Sequence, residues 1–118
     1  MEVTNVKVAN IRPKYKNLKE WMEDPNNVYI GRAGIVFIDG ERFPKKPSVW
    51  ANPYKEKIEG RERCLELYET WLREKIKKEG CHELLALKDK VLGCWCKPKD
   101  CHGDILLKVL NSILKIQD

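Results

Sequence analysis

The sequence predicts a single compact α/β domain, with helices packed on a small mixed sheet and a functional loop between the last strand and the C-terminal helix. Three observations lead there. Short β-branched or apolar runs such as Val28-Tyr29-Ile30 and Val91-Leu92-Gly93 are interspersed with longer stretches whose apolar residues recur at spacings of three and four. A chain of 118 residues with 42% hydrophobic content is long enough for one core and too short for two. No internal repeat, low-complexity tract or long linker divides it, so residues 1–118 are expected to form one domain.

Taken in order, Val3 to Ala9 is β-branched and partly alternating and predicts a first strand, ended by Pro13. Leu18 to Glu23 permits a short helix, closed by the turn cluster Asp24-Pro25-Asn26-Asn27. A second strand, Val28 to Arg32, ends in Gly-Arg, where the glycine allows a sharp turn and the arginine presents a planar fork suited to phosphate or carboxylate. Ile35 to Phe43 reads as a hairpin about Asp39-Gly40, a pair suited to the positive φ angles of a two-residue turn. Pro44-Lys45-Lys46-Pro47 then makes a stiff basic loop, followed by the non-periodic segment Ser48 to Tyr54, which carries an indole, an amide and a phenol. From Gly60 to Glu79, Cys64, Leu65, Tyr68, Trp71, Leu72 and Ile76 form one apolar stripe, which Gly80 ends. Cys64 and Trp71 read as core residues, Cys81 as a loop thiol and His82 as structural. After one helical turn at Leu84 to Leu87 comes a strand from Val91, and the final helix shows paired apolar residues at Ile105, Leu106, Val109, Leu110, Ile113 and Leu114.

Composition bounds the function classes. Charged residues make up 35% of the chain and leave a formal net charge of +5, which suits a phosphate-bearing small molecule or nucleic acid and equally a solvated surface. No secretory leader or spanning apolar segment is visible, and the five cysteines do not suggest a disulfide framework, so a soluble cytoplasmic protein is expected. No Walker-type Gly-Lys-Ser/Thr, Asp-rich magnesium cluster or Ser/His/Asp arrangement occurs, which argues against phosphoryl transfer from ATP.

Chemistry concentrates in Leu92 to Leu107, which holds Cys94, Cys96, Cys101 and His102. Three thiolates and an imidazole make a complete zinc ligand set, although adjacent residues such as Cys101 and His102 seldom reach one ion together. A second reading is a thiol site. Asp100 would cap the last helix and place Cys101 and His102 in its first turn, where exposed N–H groups and the helix dipole favour a thiolate. Gly103 would let a ligand approach the backbone, Asp104 would orient His102 or bind a hydroxyl, and Arg32 would supply a second anion clamp. A third reading makes Cys94 and Cys96 packing residues beneath the helix.

Val28-Tyr29-Ile30-Gly31-Arg32, Trp50-Ala51-Asn52-Pro53-Tyr54, a helix starting near Gly60-Arg61-Glu62, and Leu92-Gly93-Cys94-Trp95-Cys96-Lys97-Pro98 with Cys101-His102-Gly103-Asp104 together resemble a known family. It is the domain-of-unknown-function family four-three-two-six, small proteins of bacteria, phages and large viruses. The resemblance runs from about Val28 to the end. It implies that residues 28–118 are a shared core, that 1–27 are a lineage-specific strand and helix, and that Gly31, Arg32, Trp50, Asn52, Pro53 and Cys101 to Asp104 converge on one pocket. A more distant similarity, to a family with a strand-end cysteine and a later Cys-His-Arg, implies Cys101 and His102 as the common chemical core.

The functional expectation is a small intracellular nucleotide- or nucleic-acid-directed enzyme, in the host cytoplasm if the chain is viral. Cys101, His102 and Asp104 would carry the chemistry, with Gly31, Arg32, Trp50, Asn52, Trp95 and Gly103 binding the ligand. The alternative is a non-enzymatic binding module for a nucleotide, nucleic acid or host protein, stabilised by zinc on Cys94, Cys96, Cys101 and His102 or free of metal.

Overall fold

Three short strands, of which only the central one is a mainly apolar run, meet in parallel, and two more fold back on each other as a hairpin. The computed structural model describes residues 2–95 and 101–117, in the order β1 (Glu2–Asn5), α1 (Val8–Ile11), α2 (Leu18–Glu23), β2 (Asn27–Tyr29), β3 (Val36–Ile38), β4 (Glu41–Phe43), α3 (Glu56–Glu59), α4 (Arg61–Glu79), α5 (His82–Leu85), β5 (Val91–Cys94) and α6 (His102–Gln117). The sheet order is β1-β5-β2, all parallel, with Glu2 opposite Val91 and Asn27 also opposite Val91. The antiparallel pair β3-β4 stands apart from this sheet, so the mixed strand content of the α/β domain is split between two small sheets.

Alternation along β5 explains the layers. Leu92 and Cys94 face a core built with Tyr68 and Leu72 of α4 and Leu106, Val109 and Leu110 of α6, all buried. Val91 and Trp95 face the opposite side, where Val6, Ile11, Leu18, Trp21 and Tyr29 pack with Val36, Ile38 and Phe43 of the hairpin. The helices α4 and α6 are also joined at their surface, since Lys108 Nζ lies 2.9 Å from Glu69 Oε1. Asp39 and Gly40 both have positive φ, 53° and 79°, as the predicted two-residue turn requires.

Several boundaries differ from the sequence expectation. The first strand stops at Asn5 instead of reaching Ala9, because Asn5 Oδ1 accepts the Lys7 N–H at 2.9 Å and turns the chain into α1. The second strand is shorter than Val28 to Arg32, ending at Tyr29 and leaving Ile30, Gly31 and Arg32 as a loop beyond the sheet. Helix α6 begins at His102, before its apolar repeat starts at Ile105, and α3 has no apolar repeat that would announce it. Asn17 caps α2 by accepting the Glu20 N–H at 3.0 Å. Among the described residues no helix is long and apolar enough to cross a membrane.

Candidate functional site

The central strand delivers Trp95 to the carboxyl edge of the parallel sheet, and α6 returns to that edge with Cys101 and His102 at its start. Open parallel sheets place ligands in this position, outside the carboxyl ends of their strands. Cys101 stands directly before α6, and its sulfur accepts the Gly103 N–H at 3.3 Å. In return Asp104 Oδ2 accepts the Cys101 N–H at 3.1 Å. The thiol thus caps the helix at its second N–H, and the Asp104 side chain, three residues on, supplies the return bond of a capping box. The imidazole is set by its other nitrogen: His102 Nε2 lies 2.6 Å from the Ile30 carbonyl oxygen. A carbonyl can only accept, so Nε2 carries a hydrogen, and Nδ1 is the ring nitrogen that stands toward Cys101 Sγ, 3.7 Å away. The edge of Tyr68 meets this ring with centroids 5.1 Å apart, and the Tyr68 hydroxyl donates to the Trp50 carbonyl at 2.7 Å.

Cys101 and His102 form the inner wall of a cavity of about 570 Å³. Gly31, Arg32 and Ile35 close one side, Asn52 and Tyr54 another, and Trp95 stands at the sheet edge. The remaining wall comes from Lys55, Glu56 and Lys57 around α3 and from Arg61, Cys64 and Leu65 at the start of α4. Among the described residues, the cations Arg32, Lys55, Lys57 and Arg61 line the cavity together with one carboxylate, Glu56. Such a wall attracts anions, and its apolar and aromatic portions suit a ring.

The walls are fixed by a short set of hydrogen bonds. Trp95 Nε1 donates to the Tyr29 hydroxyl at 2.8 Å, and that hydroxyl donates to the Arg32 carbonyl at 2.6 Å. Burial pushes the Tyr29 phenol above its ordinary pKa, with the Trp95 bond pulling the other way. The Tyr29 ring folds under Gly31, where any Cβ would collide with it, so glycine is required there by contact. Arg32 Nη2 reaches the Tyr54 carbonyl at 3.0 Å, and Tyr54 N–H donates to Asn52 Oδ1 at 2.9 Å. The Cys64 thiol donates to the Tyr54 carbonyl at 3.2 Å, and burial raises its pKa, which keeps it a thiol.

Of the residues expected to converge, the fold brings Gly31, Arg32, Asn52, Cys101 and His102 to one cavity, together with Trp95, expected as a ligand-binding residue, while Pro53 is not on its wall. It places Trp50 elsewhere: the indole is buried in the core, with Lys75 Nζ 6.0 Å from its ring centroid. Gly103 is turned to the sheet, where a Cβ would stand 2.8 Å from Val3 Cγ1 and 2.9 Å from Ile30 Cδ1, so it serves the close approach of helix and strand. Asp104 braces the Cys101 backbone, as described above, and is not on the cavity wall. Cys94 is fully buried in the strand. Cys96, one of the four ligands of the zinc reading, and Asp100, the expected cap, lie outside the described residues. Among the described residues no three His, Cys, Asp or Glu side chains gather closely enough to hold a metal. Sequence reading passed over Lys55, Lys57 and Arg61, although the alternating charges Lys55-Glu56-Lys57 and an arginine opening a helix were visible.

The chain is similar to two proteins of viruses. It is 35% identical over 68 residues to the uncharacterized 12.4 kDa protein in the nrdA-td intergenic region of Enterobacteria phage T4, covering 56% of this chain and 63% of the phage protein, under two thirds of that protein's length. It is 29% identical over 115 residues to the uncharacterized protein R718 of Acanthamoeba polyphaga mimivirus, covering 91% of this chain and 84% of that protein. No solved structure matches. A family model described as "Domain of unknown function (DUF4326)" matches residues 14–112, a span that includes the described lining residues of the cavity and the Cys101-His102 pair, and the chain belongs to that family.

Proposed function

We propose that the cavity binds the phosphate and ring of a nucleotide or of a nucleic-acid segment, and that Cys101 is the nucleophile of a small enzyme acting on it inside the cell. The observation that carries this reading is the orientation of His102. With Nε2–H committed to the Ile30 carbonyl at 2.6 Å, Nδ1 is the nitrogen available to take the thiol proton. The Gly103 N–H and the positive end of a long helix then favour the resulting thiolate. The proton moves from Sγ to Nδ1, giving a thiolate–imidazolium pair; the sulfur then forms a bond to an electrophilic centre of the bound ligand as the bond from that centre to its leaving group breaks, and the departing group takes the proton back from Nδ1. Arg32 and the neighbouring cations would hold the phosphate, and the indole of Trp95 would meet the ring. Asp104 is a positioning residue, since it fixes the Cys101 backbone.

Timed alkylation with iodoacetamide, read by peptide mass mapping, tests this. Cys101 is expected to react at neutral pH, with Cys64 in the same cavity wall far slower, and nucleoside monophosphates are expected to protect Cys101. His102→Asn should move the reaction midpoint to higher pH, and Cys101→Ser should keep nucleotide binding while losing any turnover. A Cys101 that reacts only at alkaline pH, with unchanged behaviour in His102→Asn, would remove the enzyme reading and leave a binding module.

A further inference from the structure

We propose that the substrate of the site is a single-stranded nucleic acid, and that its neighbouring base lies in a second cavity on the other side of Trp95. The inference rests on the nucleotide-binding reading above and names the substrate class of the same site. The sheet order β1-β5-β2 carries the argument. Gly31 and Arg32, just past β2, line the first cavity, and Trp95, just past β5, lines it too. Trp95 also lines a second cavity, of about 530 Å³, together with Val6 and Val8 just past β1. The two hollows therefore lie in a row along the carboxyl edge of the parallel sheet, where such sheets take their ligands, with one indole common to both. A mononucleotide held at Arg32 and Trp95 uses only the first. A strand running across the edge uses both.

The chemistry of the second cavity says which part of the strand it takes. Arg12, Lys16 and Lys19 line it, balanced by Glu20, Glu23 and Asp39. Balanced charge gives little pull for a phosphate, so the part that suits this cavity is an uncharged base, with its polar edge toward these side chains and its ring on apolar surface. Such surface is present. Of the large hydrophobic side chains exposed among the described residues, Val8 and Phe37, 43% and 66% exposed, line this cavity, and Ile35 lines the first. The phosphates that follow meet the surface around the cavity. Lys7 and Lys14 add to its cations from outside its wall, so that residues 7–19 hold five cations, all exposed, and no carboxylate. A mononucleotide in the first cavity draws nothing from that stretch, whereas the backbone of a strand gains from each cation it passes.

The test combines fluorescence anisotropy of a labelled single-stranded DNA dodecamer with iodoacetamide protection of Cys101, on the full chain, on Phe37→Ala and on the double variant Lys7→Gln/Lys14→Gln. The unaltered protein is expected to bind the dodecamer about tenfold or more tighter than AMP, measured by competition, and the dodecamer is expected to protect Cys101. Phe37→Ala should weaken the dodecamer by about fivefold or more, the lower end of what the loss of a stacking ring costs. Lys7→Gln/Lys14→Gln should lower the slope of log affinity against log salt by about 0.7 for each lost phosphate contact. Protection by AMP should be the same in both variants as in the unaltered protein. If AMP protects Cys101 but the dodecamer binds no tighter than AMP, or Phe37→Ala leaves its binding unchanged, the second cavity is no part of the site and the mononucleotide reading stands. A dodecamer that binds without protecting Cys101 does not pass through the first cavity, which overturns this inference. NAD protecting Cys101 better than the dodecamer would replace the strand with two nucleotides joined by a pyrophosphate, and a polyglutamate peptide competing as well as the dodecamer would reduce the effect to charge. If neither AMP nor the dodecamer protects Cys101, the phosphate-binding reading itself falls, and this inference with it.

Discussion

At the scale of single residues, Tyr29 does more for the site than its place in a strand suggests. Its hydroxyl accepts from Trp95 Nε1 and donates to the Arg32 carbonyl, and its ring fills the space under Gly31. Tyr29→Phe keeps the ring and leaves both partners without that hydroxyl. The expected cost is about 1–3 kcal/mol of stability in denaturant unfolding, with weakened nucleotide protection of Cys101. Unchanged unfolding and protection would show that the ring alone positions this wall. Residue chemistry was partly legible in the sequence. Cys101 and His102 stood out as reactive side chains among four small or polar residues expected to build no core, yet Cys101 is buried as part of the core and His102 is buried beside it, and the commitment of Nε2 to the Ile30 carbonyl is a contact between residues 72 apart that no local pattern records. Trp50 was legible as an important aromatic but not as a buried one, since a loop indole can serve either end and only the position of Tyr68 decides.

At the scale of elements, α4 and α6 meet through apolar stripes that the helical period exposed directly, Tyr68 and Leu72 against Leu106, Val109 and Leu110. Their surface link was not legible, because Glu69 and Lys108 lie on separate helices. Lys108 first, and then Arg73, hold the Glu69 carboxyl below the usual carboxylate range. A lowered folded value means that the stabilisation is present above the unfolded pKa and is lost as pH falls through the folded one. Glu69→Gln should therefore lower stability by less than about 1 kcal/mol at neutral pH and by nothing in acid below the folded value. Melting temperatures across that range check this, and an equal deficit at both ends would contradict the ionic account. Element boundaries were the least legible feature. The strand beginning at Val3 looked as if it ran to Ala9, and the Asn5 side chain that ends it acts through a hydrogen bond two residues away.

At the scale of the whole molecule, the family match begins at residue 14, yet the sheet begins earlier. Strand β1 pairs with β5 along its full length, and Val6 beyond it is buried beside Trp21. Removing residues 1–7 should cost about 3 kcal/mol or more from the lost burial of Val6 and its neighbours, and expose one edge of β5. Thermal unfolding and hydrogen exchange at Val91 to Cys94 measure this, and a truncated chain with native melting would make β1 dispensable. The α/β class was legible because the periods of strands and helices differ along the chain, while the parallel order β1-β5-β2 was not, since nothing local says which strand is central. That order has a temporal consequence for a chain made from its N-terminus. Among the described residues β1 and β2 pair only with Val91 to Cys94, so the sheet closes after that segment has been synthesised, just before Trp95, Cys101 and His102. During translation Cys101, His102 and the strands that frame them therefore come together only at the end of synthesis.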